Sequence, residues 1–410
     1  MNRQHFAAPG NAKHAELLSV LATPLTEPDT GQPEVAQSLS RGATGIALWH
    51  LERAHHDVPE ARPLLHQWVR AALASPISSA ETAGLHAGLP AITFLLHLAE
   101  PVLPEYRPAI TEFDQHLRRL AHRRVDVALE RLRHGRPARF AEYDLMRGLT
   151  GIGHLLLHHQ PGSDALARVL AYLVRLTKPL TIDGETLPGW WVDHAPDQLL
   201  PTPGGHSNLG IAHGITGPLA VLAHAARRAI TVDGQYDAID RICAHLDHWQ
   251  QDSNAGPWWP YWIDHHDYAR GCLTSHQPGR PSWCYGTPGI ARAQQLAGLA
   301  TGDTTRQHAA EEALLACLND ASQTELVSDM GLCHGWAGLY LTAARTAHDA
   351  ATPGLAALLP SLAQQLVQHA EATPPPELGL LDGATGVALA LHAVTTGVPI
   401  SGWDQCLLIS

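Results

Sequence analysis

The chain has 410 residues, of which 45% are hydrophobic and 16% charged, and its net charge is −12 with neutral histidines. This composition supplies enough apolar material for a sizeable core and excludes a largely disordered chain. The acidic balance argues against a general nucleic-acid binder, so we expect no nucleic-acid partner. The length fits two or three ordinary domains or one large repeat architecture.

The N-terminus and the cysteines indicate the compartment. The first residues, MNRQHFAAPGNAKHAELL, contain no apolar signal region. No run of about 18 uninterrupted apolar residues occurs that would span a membrane. Six cysteines, none before Cys243, do not form a disulfide framework. We therefore expect a cytoplasmic protein without an integral membrane segment, whose thiolates are available to metals.

One turn motif recurs along the chain, and it organises the predicted fold. It has the form G-x-x-G, and an apolar helical run follows each copy at once. Glycine permits a sharp entry into a helix and a close backbone approach, so each copy predicts a helix start. The seven copies are Gly42–Gly45, the degenerate Leu85–Gly88, Gly148–Gly151, Gly214–Gly217, Gly286–Gly289, Gly335–Gly338 and Gly383–Gly386.

The helix predicted after each motif is apolar almost all round, which indicates burial. More amphipathic helices lie between these, most clearly over residues 109–134, where apolar residues recur at helical spacing: Ile110, Phe113, Leu117, Leu120, Val127 and Leu132. The alternation predicts an all-α fold, an α/α toroid with an inner and an outer ring of helices. An open helical solenoid has the same periodicity. We expect one such domain over residues 40–410, after an N-terminal segment of residues 1–39.

Two segments interrupt the repeats. Residues 178–208 and 252–283 are rich in Pro, Gly, Asp and Trp, which predicts loop insertions. Each leads into a motif that carries polar residues, and loops that meet at one rim of a ring are a natural place for a site.

Cysteines and a histidine precede two of the motifs. Cys284 lies just before the fifth motif, and Cys333 and His334 lie just before the sixth. If those repeats are neighbours, two thiolates and one imidazole come within reach of one metal, which is a donor set typical of Zn²⁺. Three protein ligands would leave a fourth position open, as in catalytic zinc sites. Two small buried cysteines in a reducing compartment are the alternative.

Three further residues hold equivalent or nearby positions. His213 precedes the fourth motif and is a candidate general acid or base; a core histidine is the alternative. Asp144 precedes the third motif, where it could pair with His213 or cap a helix. Arg280 lies four residues before Cys284 and could stabilise an oxyanion.

These motifs together resemble the lanthionine synthetase C-like family, and within it the stand-alone lanthipeptide cyclases. The resemblance covers about residues 40–395 and rests on three motifs: NLGIAHGITG from Asn208, RPSWCYGTPG from Arg280 and GLCHGWAG from Gly331. It implies a toroid of seven inner and seven outer helices with one zinc ion per chain. It also implies zinc ligands at Cys284, Cys333 and His334, an acid/base at His213, and Asp144, Arg280 and Tyr285 around the reacting centre.

The activity implied is addition of peptide Cys thiolates to dehydroalanine or dehydrobutyrine, which forms lanthionine or methyllanthionine thioether rings. The implied substrate is a dehydrated precursor peptide, made by a separate dehydratase, and peripheral association with a synthetase or exporter complex is conceivable. Two alternatives are another zinc thiol transferase and a non-catalytic relative that binds a thiol such as glutathione. A glycosidase would need paired carboxylates, and the turns offer only Asp144 and Asp382.

Two compositionally unusual segments stay without an assigned function. Nine arginines lie between residues 107 and 139, which indicates a solvated outer helix face. The aromatic residues of the segment 258–262 predict either a wall for a peptide substrate or buried packing. The sequence does not identify the precursor peptide, the number or stereochemistry of its rings, or the oligomeric state.

Overall fold

A computed structural model describes residues 11–28, 33–196, 199–274 and 277–410 of the chain. Part of the predicted N-terminal segment, and residues 197–198 and 275–276 of the two insertions, lie outside the described residues. The chain divides into two compact units. We call Met1–His116 with Val327–Ser410 the terminal unit, and Leu117–Leu326 the central unit.

The terminal unit is helical throughout its regular structure. Its α-helices before the central unit are α1 (Asn11–Ala22), α2 (Pro33–Ala36), α3 (Ala43–His55), α4 (Ala61–Ala72), α5 (Leu89–Ala99) and the first part of α6 (Arg107–Arg133). Its last α-helices are α16 (Trp336–Asp349), α17 (Gly354–Ala372) and α18 (Ala384–Thr396). Short 3₁₀ turns lie at Thr23–Leu25, Pro104–Tyr106 and Trp403–Leu407.

The central unit contains the rest of α6 and nine further α-helices among its described residues. These are α7 (Phe140–Tyr143), α8 (Leu149–His159), α9 (Asp164–Leu176), α10 (Thr216–Arg227), α11 (Gln235–Trp249), α12 (His265–Arg270), α13 (Thr287–Thr301), α14 (Thr304–Asn319) and α15 (Ala321–Thr324). No described helix of either unit has the length and apolar character that crossing a membrane requires.

The β structure is small and lies in or beside the two predicted insertions. Three antiparallel pairs form: β1 (Leu180–Ile182) with β2 (Glu185–Leu187), β3 (His206–Asn208) with β6 (Trp262–Asp264), and β4 (Gln251–Ser253) with β5 (Gly256–Trp258). In the β3–β6 pair, Asn208 lies opposite Trp262. This pair joins the two insertions directly before the fourth motif, so it fixes the position from which that motif begins.

The helices that follow the motifs are buried, as predicted. In α10 every residue from Thr216 to Ala226 is buried, and in α13 every residue from Thr287 to Gly298 is buried. The helices between them are amphipathic, and in α9 buried and exposed residues alternate with the helical period. Burial on all sides explains why the sequence of these helices shows no polar stripe.

Steric crowding requires glycine at the second glycine position of the motif. A Cβ added there would lie 2.0–2.6 Å from the carbonyl oxygen of the residue six positions earlier, closer than real Cβ contacts. The pairs are Gly45 with Leu39, Gly217 with Ile211, Gly289 with Trp283, Gly338 with Leu332 and Gly386 with Leu380. In these five repeats the first turn of the buried helix therefore packs directly on the backbone of its own preceding loop.

The same glycines face a neighbouring repeat. In the central unit, a Cβ at Gly289 would meet the side chain of Ile211, which belongs to the preceding repeat. In the terminal unit, a Cβ at Gly45 would meet Leu380, and the amides of Leu380 and Leu381 donate to the Ser40 carbonyl at 2.8 and 3.1 Å. The first repeat is thus a direct neighbour of the last, a contact that an open solenoid does not make.

The second repeat differs from its predicted register. The sequence pattern places Gly88 at the second glycine of the motif. In the structure Gly88 is the N-cap of α5 with φ +71°, as Gly286 is the N-cap of α13 with φ +82°. Both helices then carry proline at their second position, Pro90 and Pro288. Gly88 therefore takes the place of a first glycine, and its positive φ explains why glycine is retained there.

The predicted amphipathic helix is α6, and its apolar face differs in part from the prediction. Leu117 and Leu120 are fully buried, but Val127 is 66% exposed because Val125 and Ala128 take the inward positions instead. The arginines of α6 are not all exposed to solvent. Arg131 is buried and pairs with Glu142 at 2.6 Å, which compensates for the burial of its charge.

Replacing Gly386 with alanine should strongly destabilise the fold. The added Cβ would lie 2.0 Å from the Leu380 carbonyl oxygen and 2.7 Å from Leu332, so the backbone of the helix start or of the loop would have to shift. We expect Gly386→Ala to lower the free energy of unfolding by about 3 kcal/mol, the upper end of overpacking effects. Gly162→Ala is the control, because no atom lies within 4 Å of its added Cβ. Equal denaturant midpoints for the two variants would contradict this explanation of the motif.

Candidate functional site

Asp144 uses its two carboxylate oxygens for two purposes. Oδ1 accepts hydrogen bonds from the amides of Arg147 and Gly148, both at 2.7 Å, where the turn after α7 enters α8. Oδ2 lies 2.8 Å from Nδ1 of His213. The side chain is only 3% exposed. The two roles that the sequence left open, helix capping and pairing with His213, therefore occur together.

His213 is held by this carboxylate and by an aromatic ring. Phe140 stacks on the imidazole with centroids 5.3 Å apart and an interplanar angle of 24°. Burial alone would lower the pKa of His213, but the hydrogen bond and charge of Asp144, together with the nearby Cys284, raise it above its ordinary value. About a third of the side chain is exposed, so one edge of the ring is accessible to a substrate.

Cys284 lies in a tight turn closed by Ser282. The Ser282 hydroxyl donates to the Tyr285 carbonyl at 2.9 Å and accepts from the Tyr285 amide at 3.1 Å. The same oxygen lies 3.4 Å from the Cys284 sulfur. Cys284 is 5% exposed, and its backbone is fixed by these bonds.

Tyr285 and Arg280 are positioned by the two insertions. Nδ2 of the buried Asn208 donates to the Tyr285 hydroxyl at 3.1 Å. The Tyr261 hydroxyl donates to the Arg280 carbonyl at 2.6 Å, and its ring packs 5.3 Å from that of Tyr285. Nε of Arg280 is buried and has no hydrogen-bond partner among the described residues, which leaves a donor available to a ligand.

Cys333 and His334 belong to the terminal unit. The Cys333 amide donates to the Leu381 carbonyl at 3.0 Å, so the loop before the sixth motif is joined to the loop before the seventh. The His334 imidazole has Asp329 3.6 Å from Nε2 and Asp382 3.9 Å from Nδ1. Carboxylates beside an imidazole orient it and raise its basicity as a metal ligand.

The predicted site residues therefore form one group in the central unit and another in the terminal unit. The central unit brings Asp144 to His213 and places Arg280, Cys284 and Tyr285 in the loop before α13. The terminal unit holds Cys333 and His334 side by side in one loop. Of the aromatic segment, Trp258 and Trp259 are buried packing residues, while Tyr261 and Trp262 are half-buried. Of the other cysteines, Cys243, Cys317 and Cys406 are buried, and Cys272 is exposed.

Sequence reasoning missed three residues that shape the site. Phe140 lies four residues before Asp144. Residues at that spacing share one face of a helix, and this was the one sequence signal that could have placed Phe140 beside the Asp144 carboxylate. Asn208 begins the motif NLGIAHG, but its residue type alone predicts no role in the site. Asp329 also caps its own loop, since its Oδ1 accepts from the Gly331 amide at 2.6 Å. No local pattern distinguishes it from other loop aspartates.

The comparison with known proteins identifies the class. The family model "Lanthionine synthetase C-like protein" matches residues 33–408, so the chain belongs to this family, as the sequence motifs indicated. The solved structure of "Nisin cyclase" matches with a TM-score of 0.80 and 20% identity, covering 97% of each chain. That likeness confirms the predicted fold class, all-α and an α/α toroid.

A curated relative is similar over a shorter stretch. It is "Nisin biosynthesis protein NisC" of Lactococcus lactis subsp. lactis, 23% identical over 281 residues. The match covers 65% of this chain and 64% of that protein, so the chain spans just under two thirds of the length of this relative.

Asp144→Asn should separate the two roles of this side chain. The amide oxygen of asparagine can still accept from the Arg147 and Gly148 amides, so the turn should remain. The amide nitrogen cannot accept from His213, and the negative charge is lost, so the pKa of His213 should fall.

A histidine NMR titration measures this, with the His213 resonance identified by its loss in His213→Gln. The far-ultraviolet circular dichroism of Asp144→Asn should match the wild type, which serves as the control for folding. An unchanged His213 pKa in a folded Asp144→Asn protein would show that the carboxylate does not set the protonation of the imidazole.

Proposed function

We propose that the protein is a zinc-dependent lanthipeptide cyclase. It would add Cys thiolates of a peptide to dehydroalanine or dehydrobutyrine residues of the same peptide, forming lanthionine or methyllanthionine thioethers. The observation that carries the proposal is the hydrogen-bonded Asp144–His213 pair in the unit that also carries Cys284, in a chain of the lanthionine synthetase C-like family. A proton-transfer pair beside a thiolate ligand suits addition of sulfur across a carbon–carbon double bond.

We propose Cys284, Cys333 and His334 as the ligands of one zinc ion per chain. Two thiolates and one imidazole fit the preference of Zn²⁺, and three protein ligands leave one position for the substrate. The carboxylates of Asp329 and Asp382 lie beside His334, as the carboxylates that orient metal-binding histidines commonly do. When bound, zinc would hold the peptide thiol in its nucleophilic thiolate form at neutral pH.

His213 would deliver the proton that completes the addition. As sulfur bonds to the β-carbon, the double-bond electrons move toward the carbonyl and the α-carbon must then be protonated. The Asp144 carboxylate accepts from Nδ1, which leaves Nε2 as the atom that gives or takes the substrate proton. The raised pKa of His213 favours the protonated imidazolium, which is the form a proton donor needs.

Arg280 and Tyr285 would bind the substrate around this step. Negative charge collects on the carbonyl oxygen of the dehydro residue during addition, and a guanidinium donor stabilises such an oxyanion. The buried Nε of Arg280, which lacks a partner among the described residues, supports this role. The Tyr285 hydroxyl is oriented by Asn208 and would contact the same substrate region.

The proposed thioether-forming reaction implies the substrate and the partner proteins. The substrate would be a precursor peptide whose Ser and Thr residues have been dehydrated by a separate dehydratase, and a synthetase or exporter complex could hold the enzyme at its periphery. Six free cysteines favour a reducing cytoplasm as the place of reaction. A thiol-binding relative without catalysis is the alternative, and it predicts peptide or glutathione binding without ring formation.

Zinc content tests the ligand set. We expect about one zinc per chain in the wild type from this site, lost in both Cys284→Ser and Cys333→Ser, because each removes a thiolate ligand. Cys272→Ser is the matched control, since that cysteine is exposed and outside the site. Metal analysis by mass spectrometry after gel filtration measures this. Full zinc retention in both ligand variants would refute the assignment.

Ring formation tests the acid/base assignment. His213→Ala should slow cyclisation of a dehydrated precursor peptide by about 10²–10⁴-fold, the usual contribution of a general acid or base. Zinc content should stay at the wild-type level, which separates this effect from loss of the metal. Mass spectrometry after thiol alkylation counts the rings. Peptide binding without ring formation by the wild type would favour the non-catalytic alternative.

A further inference from the structure

A second cluster of metal-ligating side chains lies in the terminal unit. Glu52 is near the end of α3, His56 directly follows that helix, and His392 belongs to α18. One potential ligand atom from each of the three lies within 4.8 Å of the other two. None of them belongs to a glycine motif, and none is among Cys284, Cys333 and His334.

The carboxylate of this cluster is rigidly held. Glu52 Oε1 accepts from the Ile400 amide at 3.1 Å, and Oε2 accepts from the Ser401 amide at 3.1 Å and the Ser401 hydroxyl at 2.5 Å. The side chain is 2% exposed. Three donors from the C-terminal segment therefore orient a buried carboxylate, as hydrogen bonds around metal-binding carboxylates do.

Each of the two imidazoles has a buried nitrogen atom that makes no hydrogen bond among the described residues. Nε2 of His56 and Nε2 of His392 each lack a hydrogen-bond partner among the described residues. The rings meet edge to face with centroids 4.9 Å apart, and His56 Nε2 lies 3.3 Å from Glu52 Oε1. Buried polar atoms are normally satisfied, so two such nitrogens beside one carboxylate require an explanation.

Packing and charge around the cluster also fit a ligand site. Trp49 packs its edge against His392 at 5.8 Å and fixes the ring from the other side. Arg53, the arginine in the last turn of α3, is ion-paired with Glu60.

We propose that Glu52, His56 and His392 bind a divalent transition-metal ion, with Zn²⁺ as the probe that fits two imidazoles and one carboxylate. Such a donor set is well suited to zinc. The ion would join α3, α18 and, through Glu52, residues 400–401 of the C-terminal segment. Its role is structural: it fastens the helix of the first repeat to that of the last. The proposal does not depend on the cyclase assignment, because the two ligand sets share no residue.

The test uses a full-length chain in which the cysteine site is removed, Cys284→Ser with Cys333→Ser. Isothermal titration with Zn²⁺ should show one binding event, and the melting temperature should rise with zinc because the ion binds only the folded state. Adding His392→Gln, or separately His56→Gln, should weaken zinc binding at least tenfold and abolish the shift in melting temperature. His55→Gln is the matched control, because it is adjacent on α3 but outside the cluster.

Cobalt gives a second readout that also works if the cysteine double variant does not fold. Co²⁺ bound by histidine and carboxylate lacks the sulfur charge-transfer bands that thiolate ligands produce. Wild-type protein should take up a second Co²⁺ without further growth of those bands, and His392→Gln should lose that second ion alone. A folded protein with the same metal stoichiometry in wild type, His56→Gln and His392→Gln would overturn the proposal.

Discussion

The structure depends on a backbone contact that only glycine allows. At the second glycine of five motifs, the first turn of the buried helix lies so close to its own preceding loop that a Cβ would overlap a carbonyl oxygen at 2.0–2.6 Å. The contact compresses each loop against the helix it precedes. Residues in the last turn of the loop, such as His213 and Cys284, are therefore placed at the helix entrance by the backbone itself.

Asp144 links this architecture to chemistry. The carboxylate that closes the turn into α8 is the one that holds the imidazole of His213. Because the turn fixes one oxygen with two amide donors, the other oxygen points in a defined direction. A proton-transfer pair that is part of a helix-entry turn loses little conformational freedom when a substrate binds, and such preorganisation favours reaction.

The sequence predicted the repeats, the buried helices and the candidate residues, because each depends on local pattern: glycine spacing, all-apolar runs, and Cys or His beside the motif. It failed where the deciding contact is not local. The register of the second repeat could not be read from Leu85–Gly88, because the positive φ of Gly88 appears only in the folded turn. Val127 fits the helical period, yet the face of α6 that packs inward is shifted to Val125 and Ala128.

The same distinction between local patterns and non-local contacts applies to the residues of the candidate site. Phe140 stacks on His213 across 73 positions of sequence, and Tyr261 reaches the Arg280 carbonyl across the same insertion, so neither contact has a local signature. The Glu52 cluster is the extreme case, since His392 and Ser401 approach it from more than 300 positions away. Such pairs form because the first repeat neighbours the last within the terminal unit. A fold that brings its first and last helices together creates positions where residues distant in sequence share one environment, and only the structure reveals them.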